Sequence, residues 1–257
     1  MDALVSLTID EGVAFVTLDR ANKLNAITIE LRDQLLDVLA HIKDNPDVRC
    51  VVLRANGKAF CTGQDLGERT SIIEGTPIDL GAALEEGMNR VILALTHLPQ
   101  PTIAAVQGTA VGAGASLAIA CDVVLASKSA AFHFSFLRLG LVPDSGASWL
   151  LPRKVGMARA AAILLSAAPI SSEQATAFGM VTVLAEDTDA LDERTSDMAR
   201  TIASRDPRAT RDTKRLLLEG AHCDLSHQLH AEAQAQTRAG HSSAYRNALT
   251  RFFGRDR

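Results

Sequence analysis

Val106-Gln-Gly-Thr-Ala-Val-Gly-Ala-Gly-Ala-Ser-Leu-Ala118 runs from apolar residues through a glycine-rich turn into a second run of small apolar residues. With Thr102–Val106 leading in and Gly114–Ala120 leading out, the spacing predicts a buried strand, a turn and a buried helix. Such a turn leaves backbone N–H groups free at a helix N-terminus, where the aligned peptide dipoles also favour negative charge. That is a means of holding an oxyanion. A dinucleotide site is the competing use of the same turn, but the GxGxxG spacing fails because Leu117 stands where the third glycine belongs. No acid follows at the usual distance of about twenty residues either. A nucleophilic serine elbow is absent, since GxSxG occurs nowhere in the chain.

Outward from this segment, strands and helices alternate. Leu4–Ile9 and Val13–Leu18 alternate apolar and polar residues around Asp10-Glu11-Gly12, a hairpin signal. Thr28 opens a helix whose apolar residues Ile29, Leu31, Leu35, Leu36, Val38, Leu39 and Ile42 return at helical spacing, and Asn45-Pro46 ends it. Cys50–Arg54 reads as a short buried strand, Leu80–Leu95 as a helix, and Val123–Ala126 and Ala131–Phe136 as strands. Helices follow from about Ala147, over Gly156–Leu165 and over Ser172–Phe178, then a strand over Val181–Leu184. From Asp189 onward the pattern is helical to the end. The expectation is an α/β core over residues 1–195 and a helical region over 196–257.

The chain has 257 residues, 47% of them hydrophobic and 22% charged, which is ordinary globular usage near the upper size of a single core. A net charge of -4 argues against nucleic acid as a partner, because phosphate binding needs a basic face, and 4% aromatic residues leave few platforms for bases. The four cysteines are widely spaced without a CxxC pair, so they read as reduced thiols of a cytoplasmic protein. No membrane segment is expected: Thr102–Ser127 is apolar but interrupted by Gln107, Ser116 and Asp122, and the N-terminus has an acid at position 2 where a signal peptide is basic. His222, His227 and His230, at spacings of five and three, do not share one helical face, so no metal site is expected.

Between Asp122 and Glu173 the chain has one acidic side chain, Asp144, within Leu139-Gly-Leu-Val-Pro-Asp-Ser-Gly-Ala-Ser-Trp149. Burial among apolar residues disfavours the charged form and raises a carboxyl's pKa, which suits proton transfer near neutrality. Phe134, Phe136, Leu139 and Trp149 are the apolar neighbours expected there. Pro-Asp-Ser-Gly is equally a turn whose Asp caps the next helix. Both uses stay open on the residues alone.

A second glycine-centred segment, Asn56-Gly-Lys-Ala-Phe-Cys-Thr-Gly-Gln-Asp-Leu66, follows the Cys50–Arg54 strand. Together with Asp19-Arg-Ala-Asn-Lys-Leu-Asn-Ala26, Val111–Asp122 and Gly140-Leu-Val-Pro-Asp-Ser-Gly146, it makes the chain resemble the enoyl-CoA hydratase/isomerase (crotonase) superfamily over nearly its whole length. The resemblance implies a spiral of ββα repeats, a C-terminal helical region that mediates trimerisation into a homotrimer or dimer of trimers, and acyl-CoA thioester substrates. No separate cofactor is implied, because coenzyme A enters as part of the thioester. The backbone amides of Gln64 and Ala113 are implied to polarise the thioester carbonyl. Coenzyme A and substrate contacts are implied at Asn22, Lys23, Leu24, Lys58, Thr62, Asp65, Leu66 and Gly114, with Arg251 or another basic residue of the C-terminal helix reaching a neighbouring subunit's coenzyme A.

The hydratases of this family carry two catalytic glutamates, whose positions here hold Ser116 and Phe136. Neither can activate water, so both are expected only to line the site. Asp144, eight residues past Phe136, matches the enoyl-CoA isomerases and most closely resembles the ring-1,2-epoxyphenylacetyl-CoA isomerase type. The implied activity is migration of a C=C bond, with Asp144 as the one acid/base and Glu86 in reserve; other crotonase chemistry on acyl-CoA (thioester or carbon–carbon hydrolysis, weak hydration) and a non-catalytic acyl-CoA-binding scaffold are the alternatives.

Overall fold

The computed structural model describes residues 3–73, 75 and 78–254. Strands β1 (Val5–Asp10) and β2 (Val13–Leu18) form the expected hairpin. Glu11 and Gly12 both take positive φ, 48° and 85°, the turn geometry whose twist matches that of the strands it joins. Thr28 caps α1 (Ile29–Lys43), its hydroxyl accepting from the Leu31 amide at 3.1 Å, and Leu31, Leu35, Leu39 and Ile42 are buried along one stripe. Next come β3 (Cys50–Ala55), β4 (Ala59–Cys61), α2 (Thr70–Ile73), α3 (Leu80–Glu86) and α4 (Met88–Thr96).

The single helix expected over 80–95 is thus two. Gly87 breaks it at φ −113° and ψ −107°, a conformation in which a Cβ would meet the Ala83 carbonyl at 2.6 Å. Apolar periodicity continues across the break and conceals it.

Then follow β5 (Thr102–Val106), β6 (Thr109–Val111), α5 (Ala113–Ala120), β7 (Val123–Ser127) and β8 (Ala131–His133). The strand expected to reach Phe136 stops at His133. Phe136–Leu139 instead winds into a 3-10 turn ended by Gly140 at φ 69°. The remaining elements are α6 (Ala147–Val155), α7 (Met157–Ser166), β9 (Ile170–Ser171), α8 (Ser172–Ala177), β10 (Val183–Ala185), α9 (Thr188–Ala203), α10 (Pro207–Gly220), α11 (Leu225–Gly240) and α12 (Ser243–Gly254). Among the described residues no helix is long and apolar enough to cross a membrane.

Two sheets result, in the orders β1-β2-β3-β5-β7-β10 and β4-β6-β8-β9. The successive pairs β3/β4, β5/β6 and β7/β8 each give one strand to either sheet, so the chain advances by one position in both sheets at every repeat. This is the spiral of ββα repeats expected from the sequence. Its strands are parallel except at β1/β2 and β8/β9.

All six residues of β2 are buried, as are all five of β5, because the larger sheet is covered on both faces. One face meets α1, α4 and α5, and the other meets α9 through Val13, Val52, Ile103, Leu125, Leu191, Ala199 and Ala203. Residue 195 lies within α9, which packs as one piece on the sheet. The buried Lys214 of α10 joins the following helices to the core, pairing with Asp122 at 2.7 Å and donating to the Gln100 carbonyl at 3.1 Å.

Candidate active site

The ends of β4 and β6 meet where α5 begins, and glycines allow them to touch. At Gly63, φ +82°, a Cβ would stand 2.7 Å from the Val111 carbonyl oxygen and 3.5 Å from the Ala113 nitrogen. At Gly114 it would stand 2.2 Å from the Cys61 carbonyl oxygen. No other residue fits either place without moving backbone. Gly112 turns the chain into α5 at φ 51° and ψ −119°, and its amide donates to the His133 carbonyl at 2.8 Å.

The two glycine-centred segments therefore converge, with Gln64 beside Gly63 and Ala113 beside Gly112. Among the described residues, neither the Gln64 nor the Ala113 amide donates to a protein acceptor. The α5 dipole adds positive potential at its first turn, and every residue of α5 is buried, which keeps water from screening it. These are the features of an anion-stabilising site made from main chain.

Ser116 and Phe136 stand beside it. Ser116 is fully buried, its hydroxyl donating to the Gly112 carbonyl at 3.2 Å and lying 3.4 Å from the Asp144 carbonyl. Phe136 is buried against the turn, its ring edge 3.8 Å from where a Gly112 Cβ would be.

Asp144 is half-buried next to Ser116. Burial pushes its carboxyl above the usual aspartate range, against the Ser145 hydroxyl bond and the Arg69 charge, which favour ionisation. Ser145 donates to Oδ1 at 2.8 Å while holding φ at 49°, unusual for a side chain larger than glycine. The capping alternative falls away: Gly146 is the N-cap of α6, no side chain caps that helix, and Asp144 contributes only its carbonyl, which accepts from the Ala147 amide at 2.9 Å.

Of the expected apolar neighbours, Phe134 and Phe136 are buried, but Leu139 is 62% exposed and Trp149 is 44% exposed. Trp149 lies instead between the Arg153 guanidinium, 3.7 Å from its ring centre, and the His222 ring at 5.6 Å. Burial first, then the Arg138 charge, holds the half-buried His133 imidazole below its ordinary pKa. Glu85 and Glu86 are exposed on α3.

Of the residues expected to meet coenzyme A, Gly114 is buried in α5, and the others lie on the 20–24 and 56–66 segments, which touch each other. The Leu24 carbonyl accepts from both the amide and the hydroxyl of Thr62 at 3.2 Å, and Asp65 pairs with Arg20 at 2.7 Å. The Gly67 amide, then Arg20, hold the Asp65 carboxyl below its usual range. Asn22 and Lys23 are exposed on a 3-10 turn, and Leu66 is exposed. Lys58 is exposed on the neighbouring loop, where a Cβ on Gly57 would stand 2.7 Å from the Ala21 Cβ. Arg251 is exposed on α12.

The sequence reading overlooked Arg20, Asn25 and Ser145. Asn25 and Ser145 both take left-handed φ, and the Asn side chain is the usual tolerant occupant of that region. Arg20 belongs to a quoted motif, but its partner lies 45 residues away.

The sequence model of the enoyl-CoA hydratase/isomerase family matches residues 8–257. The 1,2-epoxyphenylacetyl-CoA isomerase of Escherichia coli is 36% identical over 247 residues, covering 96% of this chain and 94% of that protein. The (E)-benzylidenesuccinyl-CoA hydratase of Thauera aromatica is 32% identical over 224 residues, covering 87% and 85%. An enoyl-CoA hydratase structure from Bacillus anthracis superposes with a TM-score of 0.92 at 30% identity, covering 98% of this chain and 96% of that one. The spiral fold, the convergent amides and these matches together make the chain a member of the enoyl-CoA hydratase/isomerase family, an acyl-CoA enzyme of the crotonase superfamily.

Proposed function

We propose that this enzyme moves a C=C bond within an acyl-CoA thioester, of the 3-enoyl to 2-enoyl type, with Asp144 as its one acid/base. The observation that carries this reading is the half-buried carboxyl of Asp144 beside the first turn of α5, where Ser116 and Phe136 supply no second proton-transfer group. The isomerase named for the Escherichia coli relative favours an isomerisation over a hydration.

Asp144 takes the C2 proton, and the C–H electron pair passes into a dienolate whose oxygen accepts from the Gln64 and Ala113 amides. The C3=C4 pair then takes the proton back from Asp144 at C4, leaving C2=C3. No water is consumed and no electron leaves the substrate. Each preorganised donor contributes about 2.7–4 kcal/mol to lowering the barrier. One carboxylate serves both carbons because they lie on one face within its reach. The Ser145 hydroxyl holds Oδ1 and leaves Oδ2 for the proton.

Coenzyme A lies along Asn22, Lys23, Leu24, Lys58, Thr62, Asp65, Leu66 and Gly114 in this reading, and the enzyme works as a homotrimer or dimer of trimers without a separate cofactor. Hydration is the second reading, favoured by the activity named for the Thauera aromatica relative. It requires a group that activates water, and neither a buried serine nor a phenylalanine does so.

Incubation with trans-3-hexenoyl-CoA tests the choice: conjugated thioester absorbance rises if the bond migrates. A flat trace, with loss of absorbance from a 2-enoyl-CoA in water, overturns isomerisation in favour of hydration.

A further inference from the structure

Gln64 is gripped on both sides by one residue. The Gly63 carbonyl accepts from the Ile27 amide at 2.7 Å, and the Asp65 amide donates to the Ile27 carbonyl at 2.9 Å, which pairs Ile27 with Gln64 as a parallel bridge. In that pairing the groups of the flanking residues turn toward the partner strand and those of the middle residue turn away from it. The aim of the Gln64 amide is therefore set by where Ile27 stands.

Ile27 is itself held through two side chains. The Arg20 guanidinium donates to the Ala26 carbonyl at 3.1 Å and pairs with Asp65 at 2.7 Å, so it clasps the residue before Ile27 and the residue after Gln64 at once. Asn25 is wholly buried; its amide donates to the Asn56 and Ala59 carbonyls at 2.9 Å each, and its Oδ1 accepts from the Arg20 amide at 2.8 Å. The 20–27 loop is thereby fastened to the chain on both sides of β4.

We infer that Arg20 and Asn25 are positioning residues for the enolate site, setting the direction of the Gln64 amide without touching substrate. The inference rests on the role proposed above for Gln64. Hydrogen bonds weaken steeply with angle, so a loosened loop lowers stabilisation of developing charge more than it lowers binding. The side chains of Arg20 and Asp65 are 18% and 21% exposed, so breaking the pair also lowers stability. The polarisation of a bound thioester therefore has to be read beside turnover and melting temperature.

The test uses the full chain with Arg20→Gln, Arg20→Lys and Asp65→Asn; the last keeps an oxygen for the Gly67 amide but loses the charge that pairs with Arg20. Turnover of the 3-enoyl-CoA substrate, melting temperature and the absorption band of bound cinnamoyl-CoA are measured, the band moving to longer wavelength as the thioester carbonyl is polarised. Arg20→Gln lowers kcat about tenfold with KM within about twofold and cuts the red shift by about half, and Asp65→Asn, at a residue proposed to meet coenzyme A, lowers kcat and the red shift to the same extent. Arg20→Lys restores part of both, since it keeps the charge but not the rigid guanidinium whose Nη1 donates to both acceptors. Full kcat and red shift in both Arg20→Gln and Asp65→Asn overturn the inference, as does loss of kcat that tracks melting temperature while the red shift stays whole. A parent enzyme that binds cinnamoyl-CoA with no red shift removes the Gln64 role itself, and the inference with it. An Arg20→Gln chain that fails to fold leaves Asp65→Asn and Arg20→Lys to decide.

Discussion

The amide side of the site, Gly63–Gln64 with Gly112–Gly114, presents main chain, whereas the acid side, residues 139–146, presents side chains. The first is largely buried, and at Gly63 and Gly114 it leaves no room for a Cβ. The second carries the exposed Leu139, Leu141 and Val142 around a half-buried Asp144. Polarising a carbonyl needs only N–H groups, which every residue except proline supplies, so geometry is the whole requirement there. Moving a proton needs a particular side chain with a suitable pKa. A frame of this kind keeps one half of the chemistry constant while side chains set the other.

The sharpest break of this contrast is Asp144→Asn, which removes the proposed proton carrier and leaves the amides. Turnover falls about 10³-fold while acyl-CoA binding persists, measured as kcat against Kd. Stability moves the other way. Because burial raises the folded pKa of Asp144, the folded chain holds that proton more tightly than the unfolded one. The resulting stabilisation is complete below the ordinary aspartate pKa of about 3.9 and is lost as pH rises through the folded value. Asp144→Asn therefore melts above the parent near neutral pH, and the gap closes below about pH 3.9.

Gly114→Ala attacks the amide side without changing any proton-transfer group. Its methyl group would stand 2.2 Å from the Cys61 carbonyl and force α5 away from β4. Turnover drops about 10²-fold and stability falls by about 1–3 kcal/mol, read from kinetics and denaturant unfolding.

Smaller in effect is Ser145→Ala, which removes the hydrogen bond to Oδ1 that favours the ionised carboxyl. The acidic limb of the kcat/KM profile moves to higher pH. Ser145→Gly shifts that limb likewise, but folds more stably than Ser145→Ala by roughly 1 kcal/mol because it relieves the φ of 49°. Val142→Thr defines the floor: at 74% exposure it changes stability by less than about 0.5 kcal/mol and leaves turnover intact.

Much of this contrast was legible in the sequence. The apolar strands of the larger sheet and the Thr28 helix are written in local periodicity, and Asp144 is visible as an isolated acid. Most of the smaller sheet was hidden because β4 and β6 have three residues each and β9 two, too few to display alternation. Phe134 and Phe136 extended the apparent strand after Ala131 because their alternation reflects burial, and burial is shared by strand and turn alike. The Arg20–Asp65 pair depends on the spiral bringing distant residues together, and no local pattern announces that. The left-handed φ of Ser145 is imposed by its surroundings against the preference of its own residue type.

The chain contains one tryptophan, and it sits five residues after Asp144 on α6, with Arg153 over one part of its ring and His222, from the connection between α10 and α11, stacked upon it. Cationic and imidazole groups at that distance quench indole emission. The molecule thus carries its own optical gauge: any movement of the 220–225 connection away from α6 brightens or shifts a single fluorophore adjoining the acid side of the site, without a label and without a second tryptophan to confuse the reading.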